Sequence, residues 1–117
     1  MVEITDEFMK ERLGRMRSYT LLLLKAGPNY QPQAVRSPEQ SAIVTAHGRR
    51  NMKLQAEGKM PLVGPVHNAY PVVGLAVFSV PEPEARALMA DDPALKAGLF
   101  TLEFGAWFGA PGDGLPA

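Results

Sequence analysis

One helix in this chain is bracketed more firmly than any other element. Ser37-Pro38-Glu39-Gln40 supplies an N-cap serine, a proline at the first helical position and a glutamine placed to close a capping box. At the far end, after Glu57, Gly58 stands where a left-handed C′ residue belongs. A helix this long must lay one face on something, and what flanks it reads as strand. Upstream, SYTLLLLK (Ser18–Lys25) is short, apolar and stopped by the turn signal AGPN. Downstream, KMPLVGPV (Lys59–Val66) reads as a second strand, with Pro61 pointing to a sheet edge.

The same alternation continues to the end of the chain. VVGLAVFSV (Val72–Val80) is β-branched and aromatic, hence a central strand, and HNAYP before it makes a hairpin with the preceding strand. PEPEARALMA (Pro81–Ala90) is a second helix with acids in its first turn, broken by Asp91-Asp92-Pro93, with a further turn over Ala94–Gly98. LFTLEFGAW (Leu99–Trp107) is the last strand. Ahead of all this, Thr5 to Arg15 forms a short helix capped by Thr5, with Phe8, Met9 and Leu13 as a modest apolar stripe that packs on the domain surface. Gly27 to Arg36 is loop, and the tail GAPGDGLPA is flexible.

Strand, helix, strand, strand, helix, strand is the order of an α+β, ferredoxin-like βαββαβ sandwich. The expected organisation is a helical extension over 1–17, the sandwich over 18–109 and a tail over 110–117. Two helices on one side leave the other sheet face apolar and bare. A second copy of the chain is the expected cover, so a homodimer through the open sheet face follows.

Charge and composition remove several functions. Lys plus Arg balance Asp plus Glu at 12 each, so no basic field points to nucleic acid or an anionic membrane. With no cysteine there is no disulfide frame, thiol nucleophile or thiolate metal site, and a cytoplasmic location is expected. The apolar run Leu21–Leu24 falls far short of the roughly 18 residues of a membrane span, and MVEITDEFMKERLGRMR lacks the apolar core of a signal peptide. His47 and His67 are far apart without HxxE or HxH spacing, so no metal is expected. Gly27-Pro28 lacks the glycine run of a nucleotide cradle, and no cofactor is expected.

The long helix carries an anomaly. Ile43, Ala46, His47, Arg50 and Leu54 are read as one inward stripe, with Asn51 on its shoulder. A buried, unpaired charge is costly, so His47 and Arg50 facing the sheet call for water, an acid or a small-molecule ligand. Asp91 and Asp92 offer a carboxylate. One that orients an imidazole nitrogen leaves the other free for proton transfer. The plainer alternatives are a hydrogen-bonded core histidine, an Arg50 paired with Glu39 or Glu57 at the surface, and an Asp-Pro that only ends a helix. His67 reads as a surface histidine.

Several separated pieces together resemble the YCII-related family. They are YTLLLLKAGP, His47 with Gly58 at the eleventh place after it, and Gly64-Pro65 closing the second strand. VVGLAVFSV, PEPEARALMADDP and AGLFTLEFGAWFG follow in order. The resemblance implies a dimeric α+β barrel with a His–Asp pair, His47 and Asp92, in a pocket lined by Gly64 and Pro65. It implies cofactor-free proton-transfer or elimination chemistry on oxidised aromatic compounds, such as dehydrochlorination of a chlorinated hydroxyquinol. Arg50 and Asn51 stand where the family is usually apolar or aromatic. Both are expected to contact the ligand, Arg50 through a carboxylate or enolate oxygen. A non-catalytic binding module and a cofactor-independent oxygenase are the competing readings.

Overall fold

A computed structural model of the chain describes residues Met1–Ala117. Its elements are α1 (Asp6–Gly14), β1 (Arg17–Ala26), α2 (Pro38–Ala56), β2 (Leu62–Pro65), β3 (Val72–Phe78), α3 (Glu82–Ala90), α4 (Pro93–Lys96) and β4 (Phe100–Gly109). A 3₁₀ turn, Gln33–Val35, interrupts the loop before α2. The strands form one antiparallel sheet in the order β2-β3-β1-β4. This is the ferredoxin-like arrangement that the element order predicts.

Alternation along β1 separates the two faces of the sheet. Thr20, Leu22 and Leu24 are buried beneath the helices, opposite Phe78, Ala76 and Gly74 on β3. The core they enter includes Leu54 of α2, Met89 of α3 and Leu99 before β4, with Met60 between α2 and β2. Each such side chain contributes roughly 1.5–3 kcal/mol through burial. On the opposite face lie Tyr19, Leu21, Leu23, Leu75 and Trp107, with Leu75 38% and Trp107 40% exposed. No part of the chain covers that face as the helices cover the other.

Where the elements differ from expectation, local hydrogen bonding gives the reason. The second strand begins at Leu62 rather than Lys59, because the end of α2 takes up the residues between. Gly58 adopts φ +77°, and the N–H groups of Lys59 and Met60 both return to the Leu54 carbonyl at 3.0 and 3.3 Å. The capping box is only half made. Ser37 Oγ accepts from the Gln40 N–H at 3.1 Å, but the Gln40 side chain turns away to the loop. It accepts from the Gln31 N–H and donates to the Asn29 carbonyl, fastening Asn29–Gln31 to the start of α2.

The N-terminal helix forms as its cap predicts, with Thr5 Oγ1 accepting from the Phe8 N–H. The expected packing of its apolar stripe does not occur. Phe8, Met9 and Leu13 are exposed, because only Arg15 and Met16 separate α1 from β1 and leave no loop to fold the helix back. The helix is tied instead to the C-terminal segment, through the Arg12–Asp113 ion pair at 2.8 Å and an Arg15 hydrogen bond to the Pro111 carbonyl.

Candidate functional site

At 100° per residue, His47 divides the inner face of α2 into two lanes. Ile43, Arg50 and Leu54 fall to one side; Val44, Asn51 and Gln55 fall to the other. The first lane looks toward α3 and α4. The second borders a cavity of about 650 Å³ between α2, the sheet and the loop before α2. Ala46, expected inside the stripe, is exposed because it lies a quarter turn from His47.

His47 is 8% exposed and Asp92 is fully buried. His47 Nδ1 donates to Asp92 Oδ2 at 2.6 Å, and the imidazole lies 5.1 Å from the Phe100 ring. Asp92 is placed by its own backbone. It is the N-cap of α4, with Oδ1 accepting from the Ala94 N–H at 2.9 Å and Pro93 at the first helical position. Asp91, the alternative partner, is the exposed C-cap of α3. The burial that isolates the Asp92 carboxyl pushes its pKa up. The His47 hydrogen bond and charge, the Ala94 N–H and the Arg50 charge outweigh it and hold the pKa below the usual carboxylate range.

With Nδ1–H committed to Asp92, neutral His47 presents a lone pair at Nε2. Asn51 Nδ2 donates to that atom at 3.2 Å, from one turn further along α2. Asn51 Oδ1 is buried and has no partner. Turned through 180°, the same amide accepts from the N–H of an imidazolium. Asn51 thus offers a matched partner to either charge state of His47.

The six residues picked from sequence divide into two groups. His47, Asn51, Gly64 and Pro65 line the cavity together. Asp92 lies behind His47 and reaches the cavity only through the imidazole. Arg50 does not line it, contrary to the expectation that it contacts a ligand. It occupies the other lane, about 100° around the helix from Asn51, and its guanidinium donates to the Leu88 carbonyl of α3. There its charge bears on Asp92. The exposed His67 is on a surface, as expected, but that surface is the cavity rim. Tyr30 and Arg36 also line the cavity, from an irregular loop that carries no periodicity. Loops set on a rigid frame are where binding groups concentrate, and that was the signal available.

No group of three or more His, Cys, Asp or Glu residues is arranged to hold a metal ion. No helix is long and apolar enough to cross a membrane.

Comparison with known proteins places this geometry. Curated proteins give no match. Among solved structures, the chain resembles 5-chloro-2-hydroxyhydroquinone dehydrochlorinase (TftG) from Burkholderia phenoliruptrix AC1100, determined in complex with 2,5-dihydroxybenzoquinone. The TM-score is 0.54 at 20% identity, over 75% of this chain and 92% of that one, a likeness of fold. The model of the YCII-related domain matches residues 19–103. That span holds the cavity, His47, Asp92 and most of the sheet, but it stops within β4 and leaves α1 outside. On that match, the chain belongs to the YCII-related domain family.

Proposed function

We propose that this chain is a cofactor-free lyase or isomerase moving a proton on a small oxidised aromatic or acidic metabolite. His47 is the base and acid, and Asp92 is the residue that positions it. One observation carries this reading: Nδ1 of His47 is held by a fully buried carboxylate, so Nε2, on the cavity side, exchanges the proton once a ligand takes the place of the Asn51 amide. The mostly apolar wall, with Val63, Val73 and Phe100 among its residues, suits a ring. A neighbour of the same fold is named for dehydrochlorination of a chlorinated hydroxyhydroquinone, and that chemistry suits this site. His47 takes a proton from a ring hydroxyl and delivers it to the chlorine-bearing carbon. Chloride then leaves that carbon as a second ring hydroxyl gives up its proton, so the hydroxyhydroquinone becomes a hydroxybenzoquinone with net loss of HCl and no oxidant.

The test uses the unmodified protein with 5-chloro-2-hydroxyhydroquinone and with unchlorinated hydroxyhydroquinone, in D2O under argon. Chloride release, or exchange of ring hydrogen for deuterium, is expected to exceed the buffer rate without oxygen. Binding with neither reaction makes the cavity a carrier site and overturns the proposal. Turnover that stops when oxygen is removed points instead to a cofactor-independent oxygenase.

The proposal includes a homodimer through the open sheet face, supported by the exposure of Leu75 and Trp107 among apolar neighbours. Light scattering is expected to give the mass of two chains, and Leu75→Glu the mass of one. A single-chain mass for the unmodified protein removes the dimer from the reading.

A further inference from the structure

The charge of the cavity is one-sided. Its 24 lining residues include Arg36, His47 and His67 but no aspartate or glutamate. The Asp92 carboxylate behind His47 is already engaged by the imidazole and the Ala94 N–H. Arg36 is the one permanent cation that faces the space.

Its guanidinium is held without being neutralised. Nε donates to the Gln31 carbonyl at 3.1 Å, and the group lies 5.9 Å from the Tyr30 ring centroid. Gln31 is itself tied to α2, since its N–H donates to Gln40 and its side chain accepts from the Ser37 N–H. Arg36 is half-buried and forms no ion pair; Glu39, the acid in the first turn of α2, is exposed and outside the cavity. Both terminal nitrogens therefore remain as donors without a protein acceptor. A guanidinium fixed at Nε and unpaired at its fork is organised in advance to take a carboxylate in bidentate fashion. Arg50 is not a rival for this role, because it stands outside the cavity lining: one terminal nitrogen donates to the Leu88 carbonyl and the other is buried without a partner.

We infer that Arg36 is the anion-binding residue of this cavity. The ligand class is a small, largely apolar ring bearing one carboxylate or equivalent oxyanion, held with the oxyanion on Arg36 and the ring toward His47. The inference rests on the proposed reading only in taking this cavity as the ligand site. It does not require His47 to be catalytic.

Titration calorimetry at neutral pH with 4-hydroxybenzoate and its uncharged analogue 4-hydroxybenzamide tests it. The unmodified protein is expected to bind the carboxylate at least about 10-fold more tightly, the scale of one charge-assisted hydrogen bond. Arg36→Gln is expected to abolish that preference while keeping its affinity for the carboxamide, which also reports that the variant is folded. His47→Gln is expected to retain the preference. Equal binding of both probes by the unmodified protein, or a preference that survives Arg36→Gln, overturns the assignment. Absence of turnover with an Arg36-dependent preference removes the proposed chemistry and leaves the subsite standing. Turnover with no preference removes the subsite alone.

Discussion

Asp92→Ala is expected to lower the unfolding free energy by about 3 kcal/mol. The side chain does two separate jobs while fully buried. Loss of the N-cap bond to Ala94 costs about 1 kcal/mol. Leaving His47 Nδ1–H without an acceptor in the interior costs about 1–3 kcal/mol more. Asp92→Asn keeps the shape and the capping oxygen, and its amide can donate to Nδ1 once the imidazole changes tautomer, so it costs less. Urea unfolding at constant slope measures both.

Acid then separates charge from shape. A carboxyl whose folded pKa lies below its unfolded value, near 3.9, stabilises fully above that value. The contribution disappears as pH falls through the depressed folded value. The gap between the unmodified protein and Asp92→Asn is therefore expected to narrow on acidification below about pH 4, because a protonated carboxyl resembles a carboxamide. An Asp92→Ala protein within half a kcal/mol of the parent, a limit typical of surface changes, contradicts the role assigned to this residue.

The second large effect concerns turnover in the reaction proposed above. His47→Gln removes the proton acceptor, and a loss on the order of 10³-fold in kcat is expected, within the usual span for a general base. Asp92→Asn is expected to cost a comparable factor without removing any group that faces the cavity. An asparagine amide donates where the carboxylate accepted, so Nδ1 must become the acceptor and the proton moves to Nε2. The imidazole then turns a donor toward Asn51 and the substrate, the wrong tautomer for a base. The double variant is expected to be little worse than either single one, since the pair works as a unit. Retention of kcat within 10-fold in Asp92→Asn would reduce Asp92 to a structural cap.

How much of this was readable beforehand depends on how local each signal is. The limits of α2 were legible because Ser37, Pro38 and Gly58 act within their own turns. The order of elements followed, and with it the sheet. Asp92 was legible only as one of two acids before a proline. Which one faces His47 is decided by α3 ending at Asp91 and α4 starting on Asp92, a matter of tertiary packing. Arg50 misled because a helical wheel places it and Asn51 both near His47 but does not say what stands on each side. Arg36 carried no signal of its own, since its role comes from what Gln31, Tyr30 and Gln40 do to the loop around it.

The two lanes of α2 bear on how such a protein diversifies. In the proposed reaction, proton transfer is anchored from the side of Arg50, Leu88 and Asp92, while Val44, Asn51 and Gln55 line the cavity that receives the ligand. A substitution in the second lane alters ligand choice without disturbing the carboxylate that sets the histidine, and one in the first does the reverse. Under that reading, specificity and reactivity become separately inheritable traits on a single helix, with His47 and the Asn51 bonded to it answerable to both.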